Sequence, residues 1–414
     1  MEQTKSSATV GGFSKARLGR LSEAMQAYVA RDEVPGIITC IYRHGEVVHQ
    51  DKIGWFDRET KQVPIQEDTL FRIASMTKPI LAVAVLSLVE ETKLRLDEPV
   101  DKWLPELANR QVLVNPDGPL DGEVRPSPRP ITLRDLLTYR IGIGWLGIPV
   151  LYDRTALSLV SYPLSNIFAK QGGRLVYANL EPDAWLKRVG ELPLRYAPGT
   201  RWLYHVPSDI MGVLVSRVSG MGLEEFFRQR IFEPLGMHET SFSVSHNALH
   251  RLPSAYGVSL TTGEKLLIDQ PEDTAYANAP LFPSGGGGLV STTADYLKFA
   301  RMLLNRGQLD GVRILSPKTI EIMTQDYLTP EQHTHGFQVP DFWQNVGFGL
   351  GVSVVTRAAR IGQSVGAYGW GGAFGTAWIN DPANDLIALL MIQQGGNLTI
   401  RDDFSTLVYQ AIED

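Results

Sequence analysis

Phe71-Arg72-Ile73-Ala74-Ser75-Met76-Thr77-Lys78-Pro79-Ile80-Leu81 sets a serine and a lysine three residues apart at the mouth of an apolar helix. Residues at i and i+3 share a helix face, so Ser75 and Lys78 can bring hydroxyl and amine together. A serine hydroxyl is a weak nucleophile until a nearby base takes its proton, and an amine serves if burial keeps it neutral. Ser75 in the first turn also puts its own N–H among the unpaired amides there, aimed where an oxyanion could form. Pro79 suits this placement, because an amide in the first turn has no intrahelical partner to lose. From Ile80 to Val89 the run is almost wholly apolar, as in a helix buried on most sides. Ser-x-x-Lys arises by chance about once in a few hundred residues, and this chain holds it once. Its place after a Phe-Arg-Ile-Ala lead-in favours chemistry over chance, and the rest of the chain decides.

At 414 residues the chain can bury one large core or two domains. A balance of 39 Lys+Arg against 45 Asp+Glu offers no basic face for nucleic acid and no evident attraction to a membrane surface. The single cysteine, Cys40, excludes an internal disulfide and a cysteine metal cluster. Lying in a strand-like apolar run, it reads as a buried structural thiol. Residues Met1 to Gly12 are polar and do not read as a secretory signal, and no apolar run approaches the length of a membrane span. The expected location is the cytoplasm. The histidines form no HExxH-type pair, and His333 and His335 flank Thr334 in what reads as a polar loop.

Leu18, Leu21, Met25 and Val29 recur at helical spacing over Ser14 to Arg31, and Pro35-Gly36 stops that helix. Gly36 to Tyr42 and Glu46 to Trp55 are two β-rich runs joined by His44-Gly45, a hairpin signal. Leu94 to Pro105 reads as a polar turn and a short helix beginning near Asp97, and Asn115 to Pro130 as a loop. Thr132-Leu133-Arg134-Asp135 is a capped helix start; Ser208 to Val218, Leu223 to Ile231 and Ala294 to Asn305 are helical by period. The last quarter turns to strands: Gly347 to Thr356, Thr376 to Asn380 and Leu386 to Gln393, before an amphipathic helix over Asp403 to Ile412. These elements predict an α+β fold. One antiparallel sheet is built from both chain ends, residues 1–95 and 340–414, and is flanked by the terminal helices. A mainly helical, loop-rich lobe, residues 96–339, is inserted, with the active site between the two regions.

Two further stretches complete a candidate site. Pro198-Gly199-Thr200-Arg201-Trp202-Leu203-Tyr204 is a turn followed by a short extended segment, which can present the Tyr204 phenol into a cleft. Beside an ammonium a phenol's pKa falls, and it can relay the serine's proton. Tyr368-Gly369-Trp370-Gly371-Gly372-Ala373-Phe374-Gly375 packs glycines at a strand's start, where substrate can approach the backbone and an edge-strand N–H can serve as second oxyanion donor. Ser284-Gly285-Gly286-Gly287-Gly288 lacks the Gly-Lys-Ser/Thr ending of a phosphate loop.

Together Ser75-x-x-Lys78, the Pro-Gly-x4-Tyr204 segment and Trp370-Gly371-Gly372 resemble the serine β-lactamase and penicillin-binding-protein superfamily, and within it the class C β-lactamase-like carboxylesterases called family VIII. The likeness spans nearly the whole chain and implies a β-lactamase-like fold. It implies that Ser75 is acylated, that Lys78 and Tyr204 form the proton-transfer pair, and that the N–H groups of Ser75 and Ala373 hold the oxyanion. Trp370 stands where β-lactamases carry the lysine of Lys-Thr-Gly, a motif this chain lacks. Val206 stands where Tyr-x-Asn has its amide-binding asparagine. Both departures favour neutral esters over penicillins. Tyr139-Arg140-Ile141-Gly142 departs from the usual His-Thr-Ser-Gly without touching the chemistry.

The expected activity is therefore hydrolysis of carboxylic esters of short to medium acyl chains through an acyl-serine, with no cofactor or metal. Trp370, Gly371, Gly372 and Phe374 would line the substrate pocket. The same residues suit a β-lactamase or D-alanyl peptidase, or an acyltransferase in which an alcohol replaces water; a sensor that acylates once and stops is the rival outside catalysis by turnover. Two decoys stand apart. Tyr177-Ala178-Asn179 lacks the Pro-Gly lead-in of Tyr204. Gly362-Gln363-Ser364-Val365-Gly366 matches a nucleophile elbow, but no histidine follows His335 to complete a triad.

Overall fold

The computed structural model describes residues 9–145, 180–258, 263–335, 343–396 and 399–414; Tyr177-Ala178-Asn179 lies outside them. Helix α1 (Lys15–Ala30) leads into strands β1 (Gly36–Arg43) and β2 (Glu46–Gly54). Helices α2 (Thr77–Glu90), α3 (Val206–Ser219) and α4 (Thr293–Leu304) follow. Strands β3 (Val346–Phe348), β4 (Ser353–Val355), β5 (Tyr368–Gly371), β6 (Ala377–Asp381) and β7 (Leu386–Ile392) come last, with helix α5 (Thr399–Tyr409) after them. The seven strands form one antiparallel sheet in the order β3-β4-β5-β6-β7-β1-β2. Its two chain ends meet where β7 pairs with β1, from Leu386 opposite Arg43 to Ile392 opposite Ile37.

Alternation along β7 explains the layering. Leu386, Ala388, Leu390 and Ile392 face one side, where they pack with Leu21 and Met25 of α1 and Phe404 and Val408 of α5. Ile387, Leu389 and Met391 face the other side and join the larger core around α2 and α4. A strand buried on both faces needs the unbroken Leu-Ile-Ala-Leu-Leu-Met-Ile run seen here. The β1–β2 turn is set by positive φ at both His44 (52°) and Gly45 (90°), the geometry that a two-residue hairpin demands. Cys40 is a buried free thiol on β1, its pKa pushed up to about 12 by burial.

Helix α2 runs through the larger core, with Thr77 to Leu86 and Leu88 all buried. Each of its leucines and valines removed from water contributes about 1.5–3 kcal/mol, which is why so hydrophobic a helix can carry a lysine in its first turn.

Several expectations differ in detail, among them the closing helix, which runs Thr399–Tyr409 and not Asp403 to Ile412. The run Gly347 to Thr356 is a hairpin, β3 and β4, broken at Gly351, whose φ of 86° turns the chain and whose Cβ would lie 2.5 Å from that of Ala82. No helix begins near Asp97: its carboxylate instead takes a 2.6 Å bond from the Arg134 Nε, and the first helical turn there is Pro105–Leu107. Within the expected 115–130 loop, Val124–Pro126 pairs with Gln111–Leu113. His333 lies in a short helix, Pro330–His335, rather than a loop, because Thr329 and Gln332 cap it reciprocally. Among the described residues no helix is long and apolar enough to cross a membrane.

Candidate active site

The Phe71–Arg72 strand pairs with Val290–Ser291 and delivers the chain into a single 3-10 turn, Ala74–Met76, that opens α2. Ala74 takes a φ of 44°, a left-handed conformation that costs a non-glycine residue of order 1 kcal/mol or more and persists here directly before the serine. Ser75 is 8 % exposed, and the Lys78 Nζ, one turn on and 1 % exposed, lies 3.0 Å from its Oγ. Burial lowers the Lys78 pKa to about 7, with Asp209 acting to raise it. Near neutrality, then, a large fraction of this amine is unprotonated and able to accept a proton.

Tyr204 arrives from the opposite side. Gly199, at a φ of 87°, makes the turn, and the Tyr204 N–H and C=O pair with Trp145 at 2.7 and 3.0 Å in an isolated antiparallel bridge. The Lys78 Nζ lies 4.5 Å from the Tyr204 ring centroid, and the phenol hydrogen-bonds Ser75. Its pKa does not fall as the sequence suggested. Burial pushes it up to about 12, outweighing the opposing hydrogen bonds from Ser75 and Trp370. The phenol therefore stays protonated at neutral pH, which leaves Lys78 as the group able to accept a proton and Tyr204 as one able to donate.

The β5–β6 turn forms the third wall. Gly375 N–H bonds back to Gly372 O at 3.0 Å, so Ala373 sits at a turn tip and not on an edge strand; β5 is in fact interior to the sheet. Ala373 is exposed, and among the described residues its N–H has no backbone acceptor. The turn is pressed against the serine's lead-in: a Cβ on Gly372 would stand 2.4 Å from Ile73 O and 2.2 Å from the Thr376 Oγ1. Arg401 of α5 grips it from behind, donating to the carbonyls of Gly372, Gly375 and Thr376. Phe374 is 2 % exposed and belongs to the larger core.

Trp370 is more than an apolar wall. Its indole Nε1–H donates to the Tyr204 hydroxyl at 2.9 Å and so fixes where the phenol points. Trp370→Phe removes that donor while keeping an aromatic, if smaller, ring in the wall, so kcat for ester cleavage is expected to fall roughly fivefold, for about 1 kcal/mol of lost orientation, with KM nearly unchanged. Steady-state kinetics on one ester reads both. Tyr139, the departure from His-Thr-Ser-Gly, bonds Ser208 Oγ through its hydroxyl at 2.5 Å and packs 6.1 Å from the Tyr204 ring, so it supports the phenol from behind.

The Ser284–Gly288 glycines serve close packing. Gly285 meets Leu81, Gly288 meets Phe242, and the Gly286 carbonyl accepts a bond from the Lys78 Nζ. Ser364 lies in the loop before β5, at the end away from Gly371. Its N–H donates to Asp381 and its Oγ accepts from Asn384, an arrangement that ties down a loop. His333 bonds Asp326 and Trp343 O, and among the described residues no cluster of His, Cys, Asp or Glu could hold a metal. One pair escaped the sequence reading: His205 and Asp209, 4 % and 0 % exposed, beside Lys78. The visible signal was a histidine directly after Tyr204 with an aspartate four residues on, one helical turn away.

A serine hydroxyl, a buried amine near its own pKa and a protonated phenol are gathered at a helix mouth, the set of groups that acyl transfer through a serine ester calls for. The chain belongs to the β-lactamase family, whose model matches residues 21–410. It is 39% identical over 370 residues to Protein Rv1367c of Mycobacterium tuberculosis, covering 88% of this chain and 87% of that one. It is 30% identical over 390 residues to Esterase EstB of Burkholderia gladioli, covering 90% and 89%. Among solved structures, EstCE1, described as a hydrolase with promiscuous acyltransferase activity, superposes with a TM-score of 0.75 at 25% identity over 97% of this chain and 99% of that one.

Proposed function

We propose that the protein is a serine carboxylesterase of the family VIII type, cleaving neutral esters of short to medium acyl chains. The observation that carries this is the Lys78 Nζ, fully buried and 3.0 Å from Ser75 Oγ. Ser75 Oγ attacks the ester carbonyl carbon while its proton passes to Lys78, and the N–H groups of Ser75 and Ala373 receive the oxyanion. Tyr204 gives its proton to the departing alkoxide and is reprotonated from Lys78. Water then repeats the attack on the acyl-serine, with the same groups moving its proton. The relationship to Esterase EstB supports the substrate class. Trp370 and Val206, where β-lactam hydrolysis calls for a lysine and an asparagine, support neutral esters. Acyl transfer to an alcohol uses the same intermediate, and the likeness to EstCE1 supports it as a side reaction.

The test is hydrolysis of p-nitrophenyl acetate, butyrate and octanoate, with nitrocefin in parallel, across pH 5 to 9. Esters are expected to turn over and nitrocefin to be slow or untouched. The base form of Lys78 is the neutral amine, so kcat/KM rises with pH through a midpoint near 7 and is lost below it as the amine takes up a proton. Fast nitrocefin turnover would put β-lactam hydrolysis first; a burst without turnover would make the protein a sensor.

A further inference from the structure

The Lys78 Nζ has three hydrogen-bond neighbours: Ser75 Oγ at 3.0 Å, the Nδ1 of His205 at 3.2 Å and the carbonyl of Gly286. A neutral amine has two N–H bonds and one lone pair, so its ability to act as base depends on which neighbour faces the lone pair. The Gly286 carbonyl can only accept. His205 accepts or donates at Nδ1 according to its tautomer, and the tautomer is set by what Nε2 faces. That group is Asp209. His205 Nε2 lies 3.4 Å from Asp209 Oδ2, and both atoms are buried with no hydrogen-bond partner elsewhere among the described residues. The other oxygen, Oδ1, is held by the Ser284 hydroxyl at 2.7 Å and the Gly286 N–H at 3.1 Å, so the carboxylate cannot turn away.

We propose that Asp209 and His205 are positioning residues that form a tautomer lock on the catalytic amine. Asp209 holds the proton on Nε2 and leaves Nδ1 a bare acceptor. Nδ1 and the Gly286 carbonyl take both N–H bonds of neutral Lys78, and its lone pair is aimed at the Ser75 hydroxyl. When Ser75 Oγ bonds to the carbonyl carbon, its proton goes to Nζ, and the ammonium has three N–H bonds for the same three acceptors. Neither state leaves a donor or acceptor unmatched. The opposite tautomer would place an N–H against the lone pair and switch the base off. The lock deepens the esterase reading and rests on it.

The backbone supports this assignment. His205 has φ 76° and ψ −60°, with Val206 N–H bonded to Tyr204 O at 3.0 Å. This is the rare, strained sense of γ-turn, costing about 1–3 kcal/mol. The turn lets consecutive side chains, Tyr204 and His205, both reach Lys78. The ring is clamped by stacking on Trp145 at 4.6 Å, and a Cβ on Gly286 would lie 2.6 Å from its Nε2. Burial and the neighbouring Lys78 lower the His205 pKa to about 4, so the ring stays neutral where the enzyme would work. The titratable groups facing this cluster are Lys78 from α2, Tyr139 and Tyr204 from the supporting loops, and Asp209 from α3. Arg401 of α5 acts through Tyr204.

The direct test is ¹⁵N NMR of histidine-labelled wild type, with His205 assigned by its loss in His205→Gln. A protonated Nε2 and a bare Nδ1 are expected from pH 5 to 9, whatever the substrate. A protonated Nδ1 overturns the lock. The kinetic test uses Asp209→Asn, whose amide donates to Nε2 and forces the proton onto Nδ1. It is expected to cut kcat about 100-fold with KM little changed. Loss of the carboxylate that raises the Lys78 pKa moves the acid limb to lower pH even as the plateau drops. In His205→Gln/Asp209→Asn the glutamine carbonyl can accept from Lys78 without a partner, and activity is expected to exceed that of Asp209→Asn alone. Additive losses in the double variant, or a limb that does not move, would reduce the pair to packing. Labelling of Ser75 by a fluorophosphonate in wild type separates the two claims. If Ser75 is not labelled, the esterase reading fails, while the NMR result still decides the tautomer.

Discussion

Replacing Ser75 by alanine is expected to lower kcat/KM for p-nitrophenyl butyrate roughly 10⁵-fold, because the acyl-serine can no longer form and only binding and the oxyanion donors remain. Ser364→Ala is expected to stay within about twofold of wild type, the scatter of a surface substitution. The contrast follows from surroundings. Ser75 has a buried amine 3.0 Å from its oxygen, whereas Ser364 Oγ accepts from the Asn384 amide in a loop beyond the far end of β5. Melting curves for both variants separate lost chemistry from lost fold. If Ser364→Ala were the inactive one, the nucleophile would have been misassigned.

Arg72→Ala is expected to cost about 3–5 kcal/mol of stability, read from the urea midpoint. Arg72 is fully buried in the short strand just before the serine. Its Nε donates to Asp269 Oδ2 at 2.6 Å, and its Nη1 donates to Pro253 O at 2.7 Å and Gln393 Oε1 at 3.1 Å. Truncation strands a buried carboxylate whose remaining side-chain donor is the Thr274 hydroxyl at 2.7 Å. Arg72→Met/Asp269→Leu, which removes both charges, should recover most of the loss. A single-variant cost under about 1 kcal/mol would mean that water reaches Asp269 and replaces the guanidinium.

Where the sequence spoke clearly, the signal was local. Periodicity placed α1, α3 and α4 to within a residue or two, and the Leu386 to Gln393 run read as one continuous apolar strand, which is what it is. Ser75 and Lys78 were legible because three residues on one helix fix their distance. Tyr204 needed its Pro-Gly context. What the sequence could not carry was environment. The Tyr204 pKa depends on burial by residues scattered from Tyr139 to Trp370, and burial won over the nearby amine. The hairpin at Gly351 turns on a φ of 86°, and Ala82, nearly 270 positions away, packs too close to leave room for a side chain there. His205 and Asp209 belong to no motif that the sequence offers around Tyr204. Their i,i+4 spacing was visible, but their meeting with Lys78 depends on a γ-turn that no propensity announces.

The pairing of β1 with β7 also sets a timetable for biosynthesis. Arg43 must wait for Leu386. At about 5–20 residues per second, the partner of β1 leaves the ribosome roughly 20–70 s after it. Through that interval the Ile37-Ile38-Thr39-Cys40-Ile41 run has only β2 beside it and offers an open, apolar edge to any neighbouring chain. Yield of this protein should therefore respond more to growth temperature and holdase supply during translation than to changes in the finished fold. Slow closure of so long a loop is the kinetic cost of forming an interior seam of the sheet from strands so far apart in the sequence.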